Sequence, residues 1–233
     1  MSCPIVAFED LNLIDYKKAW DYQTSLFNPI IDQKIFNRKN PDATVKTKNH
    51  LLFCEHPHVY TLGTSGQKEN LLISEAILQK LNATYYKINR GGDITYHGPG
   101  QLVAYPIFDL DHFFTDIHKY LRFLEESVIL TLKEYGVVGD RIEGLTGVWI
   151  DINTANPRKI CALGVKSSRW VTMHGIGFNV NTDLSYFDAI VPCGIKDKSV
   201  TSLAKEIGEK VDFEDLKSKL KINLSNVFDF DYE

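Results

Sequence analysis

The stretch that most constrains this chain is Arg90-Gly91-Gly92-Asp93-Ile94-Thr95-Tyr96-His97-Gly98-Pro99-Gly100-Gln101. Four glycines in twelve residues give up conformational entropy and side-chain burial. That makes sense where the backbone needs positive φ or must let a ligand approach closely. Arg90, Asp93, Thr95, Tyr96, His97 and Gln101 stand among these glycines. They point to a backbone-dominated binding site, because a plain turn has no need of them. Turn chemistry alone also allows a glycine-rich hairpin, with Asp93 to Tyr96 as a short strand between two turns.

The rest of the chain supplies a frame for that stretch. From Asp15 to about Asn37, residues Tyr16, Ala19, Trp20, Leu26, Phe27, Ile30 and Ile31 recur at spacings of three and four. They predict a helix against the core, kinked or divided by Pro29. Asn37 to Asn49 is polar and basic and reads as a solvated loop. Leu51 to Cys54 and Val59 to Leu62 read as strands. Between them, Cys54, His56 and His58 alternate, but Pro57 disrupts the strand and no second ligand pair has zinc spacing, so no metal site is expected. Ser74 to Leu81 is a short helix capped by Ser74, and Tyr85 to Asn89 a strand leading into the glycine-rich stretch.

Beyond that stretch, Leu102 to Leu110 reads as a strand. Asp116 to Tyr135 is the clearest helix, with Ile117, Tyr120, Leu121, Leu124, Val128 and Leu132 on one stripe and Gly136 past its end. Strands are expected at Thr146 to Ile150, Lys159 to Val165 and Val171 to Val180, the first two flanking a polar turn, Asp151 to Pro157. Phe213, Leu216, Leu220, Leu224 and Phe228 form a closing helix, about 212–228, capped by Asp212. Strands interleaved with a few helices, several in hairpin-like pairs, predict an α+β fold: a mixed β-sheet covered by helices.

At 233 residues, 44% hydrophobic and 24% charged, the chain can bury one sizeable core, and a single domain over residues 1–233 is expected. The amino terminus has no basic n-region and no apolar run reaches about 18 residues, so a soluble cytoplasmic protein is expected, without membrane contact. A net charge of −4 weighs against general nucleic-acid binding. Cys3, Cys54, Cys161 and Cys193 are widely spaced with no CxxC pair, so each thiol has to be argued singly.

Ile190-Val191-Pro192-Cys193-Gly194-Ile195 puts a thiol at the end of an apolar run, between a rigid residue and a flexible one. Glycine there exposes N–H groups able to stabilise an oxyanion, which makes Cys193 a candidate nucleophile; a small core cysteine is the alternative. Lys159 opens an apolar strand, and either pairs with such a thiol or is a lysine on a strand edge. To act as a base near neutral pH a lysine must be disfavoured as the cation, by about 4 kcal/mol for three pH units, and the apolar run and Arg158 would help. Cys161, two residues on, is expected on the same side as Lys159 and is a rival nucleophile. His97 and His174, each followed by glycine, either orient a thioester or are satisfied structural histidines.

Several segments together resemble one family. Arg90-Gly91-Gly92, Thr95 to Gln101 and Tyr105-Pro106 match it, preceded by Glu55-His56-Pro57 and Val59 to Gly63, and followed by Thr146 to Trp149, Arg158 to Val165 and His174 to Gly194. This order resembles the lipoyl(octanoyl) transferases, relatives of the lipoate and biotin protein ligases, over roughly residues 10–205.

The resemblance implies a biotin/lipoate protein ligase-like catalytic domain that needs no cofactor and is expected as a monomer. It ends too early for the extra carboxy-terminal domain of some lipoate ligases. The resemblance also implies a Cys193–Lys159 dyad, either thiol plus amine or thiolate plus ammonium. Acyl-chain contacts would come from Arg90, Gly91, Gly92, Asp93, Ile94, Thr95, Tyr96, His97 and Gly98, from Leu163, Gly164 and Val165, and from His174, Gly175, Ile176 and Gly177. The glycine-rich stretch is then expected to wall the pocket that holds Lys159, with Arg90 and His97 near its mouth.

The implied donor is octanoyl acyl carrier protein. The implied acceptors are apo-lipoyl domains of 2-oxoacid dehydrogenase complexes and the glycine cleavage H protein. Arg158, Lys166, Arg169, Lys196 and Lys198 are the nearest basic residues in sequence to receive acidic partners. An ATP-dependent lipoate or biotin ligase, or a non-catalytic acyl-binding module on the same fold, are the alternatives.

Overall fold

A computed structural model describes residues 3–191 and 199–233. Cys193, with Lys196 and Lys198, lies outside the described residues. In chain order the elements are β1 (Ile5–Leu13), α1 (Tyr16–Lys39), β2 (Asn49–Glu55), β3 (Val59–Leu62), α2 (Glu75–Lys80), β4 (Thr84–Lys87), β5 (Ile94–His97), β6 (Gln101–Ile107) and α3 (Ile117–Glu134). Then come β7 (Gly139–Asp140), β8 (Val148–Ile150), β9 (Arg158–Ser168), β10 (Val171–Asn179), β11 (Ser199–Val200), α4 (Leu203–Ile207), α5 (Phe213–Phe228) and β12 (Asp231–Tyr232).

Among the described residues the main sheet runs β12-β1-β2-β6-β10-β9-β8-β7, with β11 also paired to β9, and a small sheet runs β4-β3-β5. The main sheet is mixed: β1 is parallel to β2 and to β12, while β2, β6, β10, β9 and β8 alternate in direction. Both faces are covered, which is why β2 and β6 read as nearly continuous apolar runs. Leu51, Phe53, Leu102, Ala104, Ile176 and Phe178 face Leu124, Val128 and Leu132 of α3 and Leu216, Leu220 and Leu224 of α5. Leu52, Cys54, Val103, Tyr105, Ile107 and Met173 face Ala19, Phe27 and Ile30 of α1.

The helix caps follow from side-chain acceptors. Asp116 accepts from the N–H groups of His118 and Lys119, and Asp212 from those of Glu214 and Asp215. Ser74 stands at the cap position of α2, but its side chain makes no capping bond. Pro29 does not divide α1. It is exposed on a helix whose buried neighbours Phe27 and Ile30 pack on the sheet, and that packing outweighs the loss of one backbone bond. Sequence reading missed β1, because Glu9, Asp10 and Asn12 break its apolar pattern. Asp10 is compensated by Lys217 Nζ at 2.8 Å. No helix among the described residues is long and apolar enough to cross a membrane.

Candidate functional site

The glycine-rich stretch is both a strand and a cavity wall: β5 pairs with β3, and the residues before it bend around the loop after β3. Gly92 takes φ 88°, a left-handed value open to glycine. Its carbonyl lies 2.2 Å from where a side chain at Gly63 would begin, so the two segments approach as only glycine permits. Thr64 and Ser65 donate to the carbonyls of Arg90 and Gly92 at 2.9 and 3.1 Å. On the other side, Gly91 N–H donates to Val165 O of β9 at 2.8 Å. That bond joins the stretch to the strand carrying Lys159.

A cavity of about 330 Å³ opens between them. Its walls are Arg90 to Thr95, Ala162 to Val165 of β9, Leu121 of α3, Gly144 to Thr146, Trp149, Phe187, and Ser199 and Val200, with Lys159 among them. A smaller void of about 40 Å³ adjoins it, sharing Arg90, Thr95, Ala162, Leu163 and Gly164 and closed by Tyr16, His97, Tyr105, His174, Gly175, Ile176 and Gly177. The two together suit an extended apolar guest with a polar end. Tyr96 and Gly98 lie off both. Strand alternation turns Tyr96 to the opposite face from Thr95 and His97, where its hydroxyl meets His58 Nδ1 at 2.7 Å and its ring stacks on Tyr186. Gly98 lies against that ring.

Arg90 and His97, expected at the mouth, are buried instead, 7% and 8% exposed. Arg90 donates from Nη2 to the Thr61 carbonyl and hydroxyl at 2.6 and 3.0 Å, and so braces the cavity floor. Gln101 donates from Nε2 to Tyr96 O and Asn179 Oδ1, so its Oε1 accepts the Nδ1 proton of His97 at 2.6 Å. Burial first, then the neighbouring His56, pulls His97 down to about 3, leaving a neutral ring with a bare Nε2. His56 is likewise pulled by burial to about 4. Its Nδ1 donates to Ile14 O and its Nε2 accepts from the Tyr105 hydroxyl at 2.7 Å, so both nitrogens are engaged. Among the described residues no group of three or more His, Cys, Asp or Glu is placed to hold a metal ion.

His174 breaks the alternation of β10. At φ 61° its imidazole lines the small void, whereas strict alternation would send it to the face of Ile176 and Phe178. Nε2 lies 3.2 Å from Asn89 Oδ1, and the buried Nδ1 has no hydrogen-bond partner among the described residues. Burial and the nearby Arg90 hold this ring neutral too, at about 3.

Lys159 and Cys161 do not share a side as expected. The β8–β9 ladder shifts register between Trp149, opposite Lys159, and Val148, opposite Cys161, so the consecutive Ile160 and Cys161 both enter the helix-covered core. Cys161 is fully buried, and burial, reinforced by Glu125, pushes its thiol well up, which makes it a poor nucleophile. Lys159 remains on the cavity wall with its Nζ 4.5 Å from the Trp149 ring centre.

Arg158 is not an open positive charge, because Asp151 and Glu206 hold it at 2.7 and 2.9 Å. Lys166 lies over the Phe27 ring, and Arg169 occupies the β9–β10 turn at φ 51°. A wider cleft, about 610 Å³, lies between the end of α1 and Asp109 to His112. There Lys34 is already paired with Asp109 and Asp111, and Asp109 accepts from Thr47, which also contacts His112. That network fastens the loop after α1. Sequence reading missed Tyr16, Tyr105, Leu121, Trp149 and Phe187 as cavity walls, since apolar stripes and motif neighbours look alike in core and cavity.

The sequence matches the family described as lipoyl protein ligase A/B catalytic domain over residues 15–225. It is 61% identical over 230 residues to an octanoyltransferase of Cytophaga hutchinsonii, covering 98% of this chain and 94% of that protein. It is 60% identical over 224 residues to one of Christiangramia forsetii, covering 96% and 95%. In fold it is similar to a bi-partite lipoate protein ligase from Thermoplasma acidophilum, with a TM-score of 0.70 at 16% identity, covering 100% of this chain and 86% of that one. The chain belongs to the lipoyl protein ligase A/B catalytic domain family, alongside the octanoyltransferases.

Proposed function

We propose that this protein is an octanoyltransferase working as one catalytic domain. It would take an octanoyl group from acyl carrier protein onto Cys193 and pass it to a lysine of an apo-lipoyl domain. The observation that carries this reading is Lys159 on the wall of an apolar cavity whose opposite wall is the glycine-rich stretch. Ser199 and Val200, which line the same cavity, pair with Arg158 and Lys159, so the chain returns from the Cys193 segment beside the lysine. High identity to octanoyltransferases supports the acyl group chosen.

The chemistry balances with two groups. The Cys193 thiolate attacks the thioester carbonyl, and collapse of the tetrahedral adduct expels the carrier thiolate, which takes a proton from the Lys159 ammonium. Lys159, now an amine, removes a proton from the attacking acceptor lysine, the amide forms, and Cys193 leaves as thiolate beside the restored ammonium. Thioester to amide is downhill, so no nucleotide is consumed. Burying about six methylenes at ~0.8 kcal/mol each holds the chain by roughly 5 kcal/mol and favours a matching length.

Purified protein given octanoyl carrier protein without nucleotide is expected to gain one octanoyl mass and then modify an apo-lipoyl domain. Cys193→Ser should abolish normal formation of that adduct. Modification only with free octanoate plus ATP would overturn the reading in favour of a ligase.

A further inference from the structure

We infer that Trp149 is a positioning residue for the transfer reaction: its indole face holds the Lys159 ammonium at the cavity wall and favours the charged form. The inference rests on the acid–base role proposed above for Lys159. Trp149 and Lys159 are direct cross-strand partners in the β8–β9 ladder, so their side chains rise on the same side. Lys159 Nζ stands 4.5 Å from the ring centre, within the range where the negative face of an indole attracts a cation. The ring is 3% exposed, so water does little to screen the contact.

The strand segment is built to keep this pair. Gly147 takes φ 125°, and a side chain there would begin 3.2 Å from Lys159 Cε and 2.8 Å from Cys161 O. The absence of one lets the lysine stem pass. Gly147 N–H donates at 2.9 Å to Glu125 Oε1, a fully buried carboxylate that Arg122 and Arg141 neutralise at 3.1 and 3.0 Å. That buried carboxylate, held by two partly exposed arginines, fixes the backbone two residues before Trp149. Besides the Cys193 thiol of the proposed mechanism, the titratable groups near the lysine among the described residues include Cys161 on the core side, Arg158 with its partners Asp151 and Glu206, and Arg90 and Asp93 across the cavity. None of these is an aromatic face, so Trp149 can be tested separately from them.

A thiolate–ammonium pair loses its proton from the lysine side at high pH. Weakening the cation–π contact should therefore move the alkaline limb of the acyl-loading rate downward. For Trp149→Leu a shift of about 0.4 to 1.5 pH units is expected, the span from an exposed to a desolvated contact. Trp149→Phe should fall between. Mono-, di- and trifluorotryptophan, which drain the ring face stepwise with little change of shape, should move the limb in steps, and the same labelling in Trp149→Leu should not move it.

Rates are read as octanoyl loading by intact mass, with thermal melts confirming folded protein. A uniform fall in rate with a fixed limb would overturn the inference and leave Trp149 a packing residue. If wild-type protein acquires no octanoyl mass at all, the transferase reading fails first, and the two failures are told apart by that control.

Discussion

The two faces of the main sheet are built to different rules. Under α3 and α5, Leu102, Ala104, Ile176 and Phe178 meet Leu124, Val128, Leu220 and Leu224, and that layer is held by apolar packing. Under the first half of α1, Tyr16, His97, Tyr105 and His174 line a void, with Gln23 and His56 buried behind them against His174 and Tyr105. Gln23 Nε2 and His174 Nδ1 there have no hydrogen-bond partner among the described residues. Leaving such atoms buried and unpaired costs about 1–3 kcal/mol each. Tyr120 Oη under α3 is also without a partner among the described residues, so it is the void lined by polar groups, and not the unpaired atoms alone, that marks the second face as organised for a guest.

The sharpest way to separate the two is Lys159→Ala. It should slow octanoyl loading by a factor on the order of 10² to 10⁴, the range of a positioned acid–base group, while changing the melt little. Lys159 is half-buried at a cavity wall, not part of the helix-covered cluster. A normal loading rate would return it to a structural role. Leu124→Ala should show the opposite signature. This side chain is fully buried between α3 and the sheet, and its removal should cost about 2–5 kcal/mol in urea unfolding, with the loading rate of the remaining folded protein preserved. A rate loss without destabilisation would break the division of labour.

Acidification should find the polar face first. His56 at about 4, and His97 and His174 each at about 3, lie below the unfolded value near 6.5, mainly because burial opposes their charge. As pH falls, the unfolded chain takes up these protons before the folded one. The stability they contribute is therefore complete above about pH 6.5 and is lost progressively toward pH 4 to 3, by up to about 1.4 kcal/mol per histidine per pH unit. Urea midpoints should drop between about pH 7 and about pH 5, and less so in His97→Gln, which no longer titrates at this position. Identical drops in both proteins would show that His97 is not among the groups responsible.

The same contrast explains what was legible in the sequence. The stripe from Ile117 to Leu132 and the one from Phe213 to Phe228 repeat at helical spacing, so α3 and α5 emerge, the second with its cap Asp212, while the cap Asp116 of α3 is seen in the structure. The small residues of the glycine-rich stretch announce a close approach, which Gly63 and Gly92 make. Periodicity could not reveal that Arg90 turns inward to Thr61, because a charged residue before two glycines carries no sign of its direction. It also could not reveal His174, whose positive φ reverses the side expected from alternation. Nor could it reveal the shift between Val148 and Trp149, which separates Lys159 from Cys161. Local irregularities of one residue decide the site. They are invisible to rules that average over a strand.

That register shift gives the smallest of the expected effects. If β9 alternated without interruption, Cys161 would stand beside Lys159 at the cavity and compete for the acyl group. With the shift it lies in the helix-covered core, its Sγ 3.7 Å from Ala162 O and its thiol held protonated by burial. Cys161→Ser should therefore leave the octanoyl adduct and its rate within about twofold, since a residue away from the reacting atoms does not enter the barrier. It should lower stability by about 1–2 kcal/mol, because a hydroxyl needs a stronger hydrogen bond than a thiol to be buried at no loss. The check is intact mass after octanoyl loading beside a urea titration of the same protein. Loss of the adduct with an unchanged unfolding midpoint would place Cys161 in the chemistry, and would mean the register of β8 against β9 is not the one that governs the reaction.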